Sequence, residues 1–238
     1  IGGRFVATEN AYVKADKIAV SADVSGRVSE VKVAENQEVP KGTLLFRLDP
    51  EPFQIVLQRA DAQLASARQT IAALKAEYRQ RLAERHEVEG DVIYFRRSVE
   101  RQRKLHDKGF ASQSKLDEAE QQMRAAKDRI SAINQSLASV RARLGGDIDI
   151  DPNAHPTVRE AISARDAAEL DLRRTAVHAP SDGVITNFGL EVGEYIQAGA
   201  PIFSLVGTGQ VWVRANYKET DLTHVRVGQS ATLKVDTY

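Results

Sequence analysis

The sequence predicts an elongated α+β protein: a split β-sandwich whose halves bracket a long antiparallel coiled-coil hairpin, with a partial β-barrel formed by strands from both chain ends. Three observations predict it. Two segments align without gaps at a constant offset, Ala22 falling on Ala179 and Leu48 on Leu205, each pair 157 residues apart. The stretch between them carries a seven-residue apolar repeat that runs out, turns at a glycine and runs back. Aromatic residues make up only 6% of the 238 residues, while Ala, Arg, Gln and Glu crowd the middle, which suits long exposed helices better than a large core.

The first repeated segment runs Ala22-Asp23-Val24-Ser25-Gly26-Arg27-Val28 to Leu48, and the second Ala179-Pro180-Ser181-Asp182-Gly183-Val184-Ile185 to Leu205. Gly26 meets Gly183, Val28 meets Ile185, Val39 meets Ile196, Gly42 meets Gly199 and Phe46 meets Phe203. β-Branched and aliphatic residues alternate between Gly, Pro, Asn and Asp signals, so each segment reads as short strands cut by turns. The repeated glycines, Gly26, Gly42, Gly183 and Gly199, are expected at turns that require positive φ, where a Cβ is penalised. A segment of about 30 residues cannot bury a useful core alone, so the two are expected to pack into one small sandwich.

Asp49-Pro50-Glu51-Pro52 supplies a turn and a helix start. Beyond it Leu57, Leu64, Ile71, Tyr78, Val92 and Val99 share one heptad position, and Ala60, Ala67, Leu74, Val88 and Phe95 another. Arg81 and Arg85 interrupt this seam, and Gly90 weakens the helix by about 1 kcal/mol relative to Ala. After Asp107-Lys108-Gly109 the return arm repeats Leu116, Met123, Ile130, Leu137 and Leu144, with Ala119, Ala126, Ile133 and Val140 between them. Two heptad arms joined by a tight glycine turn make an antiparallel hairpin. Gly145-Gly146 to His155-Pro156 breaks the second arm, which resumes from Val158 to Arg174. At 1.5 Å rise, an outgoing arm of about 55 residues reaches on the order of 80 Å, the dimension of a spacer.

Val211 to Asn216 and Ala231-Thr232-Leu233-Lys234-Val235 read as strands around a short polar turn or helix through Glu219 and Leu222, and Phe5 to Val13 is expected to join them. Three strands do not close a barrel, so this domain is expected to be incomplete.

Composition excludes several function classes. Lys+Arg and Asp+Glu balance at 33 each, so no whole-chain field draws in nucleic acid. The absence of cysteine removes disulfides, thiolate zinc sites and thiol catalysis. No apolar run approaches the roughly 20 residues that span a bilayer. The chain opens on Ile1 without a Met, so an upstream membrane anchor is expected.

A split sandwich bracketing a helical hairpin resembles the lipoyl domain of membrane fusion proteins, the HlyD-like periplasmic adaptors of tripartite export systems. The EmrA-like adaptors of multidrug efflux are the nearest group. Thr8-Glu9-Asn10-Ala11-Tyr12-Val13, Trp212-Val213-Arg214-Ala215-Asn216-Tyr217-Lys218-Glu219-Thr220 and Val227-Gly228-Gln229 carry that resemblance. It implies lipoyl-like halves at 18–49 and 175–206, and a hairpin at 50–174 with its tip near 106–112 and a break at 145–156. It also implies an incomplete β-barrel from 1–17 and 207–238. The family's channel-contacting signature is an Arg, a Leu four residues on, and a Ser seven beyond that. Arg101, Leu105 and Ser112 reproduce it.

By resemblance, then, the chain is a non-enzymatic, inner-membrane-anchored periplasmic adaptor without cofactor. It joins a major facilitator type transporter to a TolC-like outer-membrane channel, associates as trimers or hexamers, and makes weak contact with drugs in transit. An adaptor of an ABC-type protein secretion system and a coiled-coil tether without a channel are the alternatives. On residues alone, Arg101 and Leu105 lie one helical turn apart on one face, placing a charged donor beside an apolar knob. The structural reading is that Leu105 finishes the seam, Arg101 is solvated and Ser112 caps the return helix. Arg96, Arg97, Arg101, Arg103, Lys104 and Lys108 against Glu100 and Asp107 leave the tip cationic.

Other constellations fail on chemistry. The helical insert replaces the hairpin that presents a lipoyl or biotinyl lysine, so a swinging-arm carrier is not expected. In Asp147-Ile148-Asp149-Ile150-Asp151 a calcium loop needs Gly where Pro152 stands and Glu where Val158 stands. His86-Glu87 lacks a second His, since Gly90 occupies that position, and His106, His155, His178 and His224 are scattered. Gly207-Thr208-Gly209 lacks the third glycine of a dinucleotide fingerprint.

Overall fold

The computed structural model describes residues 6–234. Phe5 and Val235, on which part of the terminal strand expectations falls, lie outside them. Residues up to Glu51 together with those from Asp171 onward form one compact unit, and Pro52–Leu170 form another.

The β unit contains eight strands among the described residues: β1 (Ala11–Ser21), β2 (Gly26–Val31), β3 (Glu38–Val39), β4 (Leu44–Leu48), β5 (Ala176–His178), β6 (Gly183–Thr186), β7 (Tyr195–Ile196) and β8 (Pro201–Ala215). One sheet has the order β1-β8-β6-β3 and the other β5-β4-β2-β7, all pairs antiparallel. The sequence repeat converts each sheet into the other, since its offset carries the end of β1 onto β5, and β2, β3 and β4 onto β6, β7 and the start of β8. Each sheet therefore takes its inner strands from one half and its outer strands from the other. Neither half can complete a sheet alone, so the halves are interlocked, a stronger coupling than face-to-face packing.

The repeat extends to individual hydrogen bonds. The Gly42 N–H donates to Ala179 O at 2.8 Å and the Gly199 N–H to Ala22 O at 2.9 Å. The Lys41 N–H donates to Asp182 Oδ1 at 2.7 Å, and its counterpart, the Ala198 N–H, to Ser25 Oγ at 2.9 Å. Phe46 and Phe203 meet edge to face at the centre, ring centroids 6.1 Å apart, among Val28, Leu45, Leu48, Ile185 and Leu205. Each of these buried side chains contributes about 1.5–3 kcal/mol relative to exposure.

Only two of the four repeated glycines answer the turn expectation: Gly42 and Gly199 have φ of +84° and +77°. Gly26 and Gly183 instead open β2 and β6, where Gly26 pairs with Ile196 and Gly183 with Gly207. Gly183 is required for space: a Cβ there would stand 2.6 Å from Val206 O and 2.8 Å from Leu205 Cγ. A second positive-φ pair, Asn36 at +63° and Gly193 at +95°, went unread because the first half uses Asn, which tolerates that region.

The β1–β8 ladder runs from Ala11↔Ala215 to Ser21↔Pro201 with an irregularity between Ala15 and Lys17, where β8 carries the extra residues 207–210. One long pair thus crosses the 17/207 boundary drawn from the sequence. The strand expected at Ala231–Val235 is absent over its described residues 231–234. No partner strand stands beside that stretch among the described residues, and an unpaired strand would leave its N–H and C=O groups unsatisfied. The turn through Glu219 and Leu222 is a 3-10 helix, Glu219–His224.

In the helical unit, α1 (Glu51–Asp107) is 57 residues long, about 85 Å at 1.5 Å per residue. Its partners are α2 (Gln113–Arg143) and α3 (Pro156–Arg173). The heptad positions seal in layers: Val99 against Leu116 and Ala119, Val88 against Ile133 and Leu137, and Leu64, Ile71 and Leu74 against Val140, Leu144 and Val158. Leu144 and Val158 are fully buried on either side of the break, so the seam continues across it. Gly145 and Gly146, at φ +78° and +90°, turn the chain out of α2. The acidic connector is fastened to α1 by Lys75 Nζ donating to Ile150 O at 2.7 Å and Arg68 Nε to Asn153 Oδ1 at 3.1 Å. Arg165 ties α3 to Asp61 of α1 at 3.4 Å, and hydrogen bonding to Asp166, followed by the charge of Glu169, pushes its guanidinium pKa further up.

Arg81 and Arg85 hold the seam positions that the heptads assign them. Each Nε is buried without a hydrogen bond, although the side chains pair with Glu84 at 3.0 Å and Glu89 at 3.3 Å. Removing charged groups from a seam in favour of packed apolar ones is commonly stabilising. Arg81→Leu with Arg85→Leu, made together with Glu84→Gln and Glu89→Gln so that neither carboxylate is left without its partner, is therefore expected to stabilise the hairpin by about 1–3 kcal/mol and raise its thermal midpoint, followed by circular dichroism at 222 nm. A lowered midpoint would show that the ionic layer is the stabilising element.

Candidate docking tip

α1 ends in a Schellman motif, in which the N–H groups just past the helix satisfy its last carbonyls. The Phe110 N–H donates to Leu105 O and the Gly109 N–H to His106 O, both at 2.8 Å, with Gly109 at φ +77°. That left-handed residue is why a glycine ends the outgoing arm. Five residues separate α1 from α2, so the turn is short and pinned at both ends. Below it, Val99, Leu116 and Ala119 pack with Met123, and Arg103 Nη2 reaches Glu120 Oε1 across the arms at 2.7 Å.

On this base Arg101 and Leu105 stand one turn apart near the end of α1, and Ser112 occupies the N-cap position of α2. Arg101 and Ser112 are exposed, and Leu105 is 38% exposed. Leu105 is thus only partly engaged by the seam. Ser112 has the extended backbone of a cap, φ −77° and ψ 152°, but its hydroxyl makes no capping hydrogen bond. The side-chain cap of the structural reading is therefore not formed, and the hydroxyl is available to a partner. Arg101 has no ion-pair partner among the described residues, whereas Arg103 is held by Glu120. Phe110, which the sequence reading passed over, is 80% exposed at the apex. Its signal was present in the Gly-Phe pair after the helix, because an apolar residue follows the left-handed glycine in a Schellman turn.

No cluster of His, Asp and Glu able to hold a metal occurs among the described residues, nor does a helix long and apolar enough to cross a membrane. A cleft of the β unit is lined by Ile18–Ser21, Arg173, Arg174 and Ala176–His178, and Arg174 in it pairs with Asp23 at 3.4 Å and Asp171 at 3.5 Å.

An interlocked sandwich interrupted by a helical hairpin is the architecture of a membrane fusion protein. Residues 16–208 match the barrel-sandwich hybrid domain of RND membrane fusion proteins, and the chain belongs to that family, a non-enzymatic one. It is 34% identical over 236 residues to the multidrug resistance protein MdtN of Shigella flexneri, covering 96% of this chain and 67% of that protein. It is 27% identical over 234 residues to the multidrug export protein EmrA of Haemophilus influenzae, covering 98% and 59%. These relatives support the EmrA-like resemblance, and the chain spans 59–67% of their length. The crystal structure of MacA from Actinobacillus actinomycetemcomitans shares the fold at a TM-score of 0.53 and 20% identity, covering 94% of this chain and 64% of that one.

Proposed function

We propose that the chain is the adaptor of a tripartite drug-export system, standing in the periplasm on an inner-membrane anchor and linking a transporter to a TolC-like outer-membrane channel. The observation that carries this reading is a 57-residue helix whose far end is a pinned turn with Arg101, Leu105 and Ser112 exposed around it. A pinned turn satisfies the last carbonyls of any helix that folds back, and here it also holds exposed side chains in fixed positions for a partner. The names of the relatives, which are drug-resistance and drug-export proteins, support efflux over protein secretion. The resemblance to EmrA-like adaptors, carried by residues 8–13 and 212–220, implies a major facilitator type transporter as the inner-membrane partner. One hairpin cannot enclose a conduit, so several copies must associate, as trimers or hexamers by the family resemblance, and drug molecules pass with weak contact.

These 238 residues hold no cysteine, so Arg101→Cys supplies the one thiol among them as a cross-linking handle. In cells, a thiol-directed cross-linker is expected to join position 101 to an outer-membrane channel, while Arg59→Cys at the opposite end of α1 gives no such product. Equal products from both positions, or none from position 101 in exporting cells, would overturn the reading.

A further inference from the structure

We infer that Phe110 is the apolar centre of the docking tip, seated in a notch between acidic helix ends of the channel partner. This rests on the adaptor reading and adds a residue and a partner chemistry to it. The Schellman turn needs only an apolar residue after Gly109 that lies back toward Leu105. Phe110 remains 80% exposed, far beyond what that contact requires, while its backbone is held to Leu105 O at 2.8 Å. An aromatic ring thus stands in water on a fixed backbone, and a preorganised ring loses little freedom when a partner covers it. Rigid aromatic anchors are the side chains that most often dominate an interface.

The surroundings select the partner. Arg101, Lys104 and Lys108 lie within one segment around Leu105 and Phe110, and no ion pair engages them among the described residues. Cations in a last helical turn do complement the helix dipole, which accounts for Lys104. The dipole does not account for an exposed ring in the same segment. An exposed apolar ring in a segment where cations outnumber Glu100 and Asp107 fits an apolar notch with an acidic rim.

The test measures binding of the full-length protein to the purified TolC-like channel of the same cell. Phe110→Ala is expected to weaken it at least tenfold, with most affinity restored by Phe110→Leu and helicity at 222 nm unchanged. Leu105→Asp serves as the reference. If it abolishes binding while Phe110→Ala stays within twofold of wild type, the anchor role falls and the adaptor reading stands. If the channel binds neither the wild type nor any variant, both fall. Wild-type affinity independent of salt between 0.05 and 0.5 M would overturn the acidic rim. Binding to phosphatidylglycerol vesicles that is lost in Phe110→Ala, with channel binding intact, would make the ring a lipid contact and overturn the inference.

Discussion

Gly183→Val is expected to unfold the β unit under conditions where the wild-type chain is folded. The Cβ enters 2.6 Å from the Val206 carbonyl oxygen and 2.8 Å from Leu205 Cγ. Val206 pairs with Val184 and Leu205 with Ile185, so neither can retreat without opening the β6–β8 ladder. Because β6 and β8 are the inner strands of their sheet, an opening there reaches the outer strands, which come from the other half of the repeat. Overpacking of this kind, combined with a broken ladder, costs about 3–5 kcal/mol, a large share of the 5–15 kcal/mol that keeps a domain folded. Trp212, the single tryptophan and part of β8, reports the β unit by fluorescence in a urea titration, while ellipticity at 222 nm follows the helices. A wild-type midpoint in the fluorescence curve would show that β6 and β8 are not packed as described.

Leu105→Asp is expected to leave the fold intact and remove channel capture. Leu105 lies outside the sealed layers of the hairpin and is 38% exposed, so its loss removes little packing. An aspartate in the last turn of α1 costs about 0.3–1 kcal/mol against the helix dipole, too little to unfold a 57-residue helix held along its length. At an interface, however, the substitution exchanges an apolar contact for a carboxylate that must be desolvated. Removing a central contact costs about 2–4 kcal/mol, or roughly 30- to 1,000-fold in affinity. Channel binding and drug susceptibility should fail together while the thermal melt stays within a degree or two of wild type. Leu105→Ala, which removes the contact and adds no charge, should fall between. A variant that binds and exports normally would place Leu105 in the structural role of finishing the seam.

The legibility of this molecule follows the range of its interactions. Heptad spacing is local, so Leu64, Ile71, Val88, Val99 and their counterparts from Leu116 to Leu144 could be assigned to a buried seam from residues a few positions apart. The tip was readable for the same reason, since Gly109 lies between two helical patterns and the Schellman turn involves six neighbouring residues. The expected strand at 231–235 fails over 231–234 because alternation is also local, whereas a strand exists only where a partner ladder does. The hydroxyl of Ser112 and the exposure of Phe110 depend on how the turn presents its side chains, which spacing does not encode.

That two distant halves share one core, and that the residues between them form a hairpin closed by a glycine turn, follows from residue order alone, because repeat and periodicity are properties of order along a chain. How the strands divide between the sheets, and why Gly183 is glycine though its φ is not positive, became visible with the packed fold. That fold also sets Phe110 in solvent beside Leu105. Each of these depends on which atoms come within a few ångströms of one another, and in the β unit those atoms come from residues as far apart as Gly42 and Ala179.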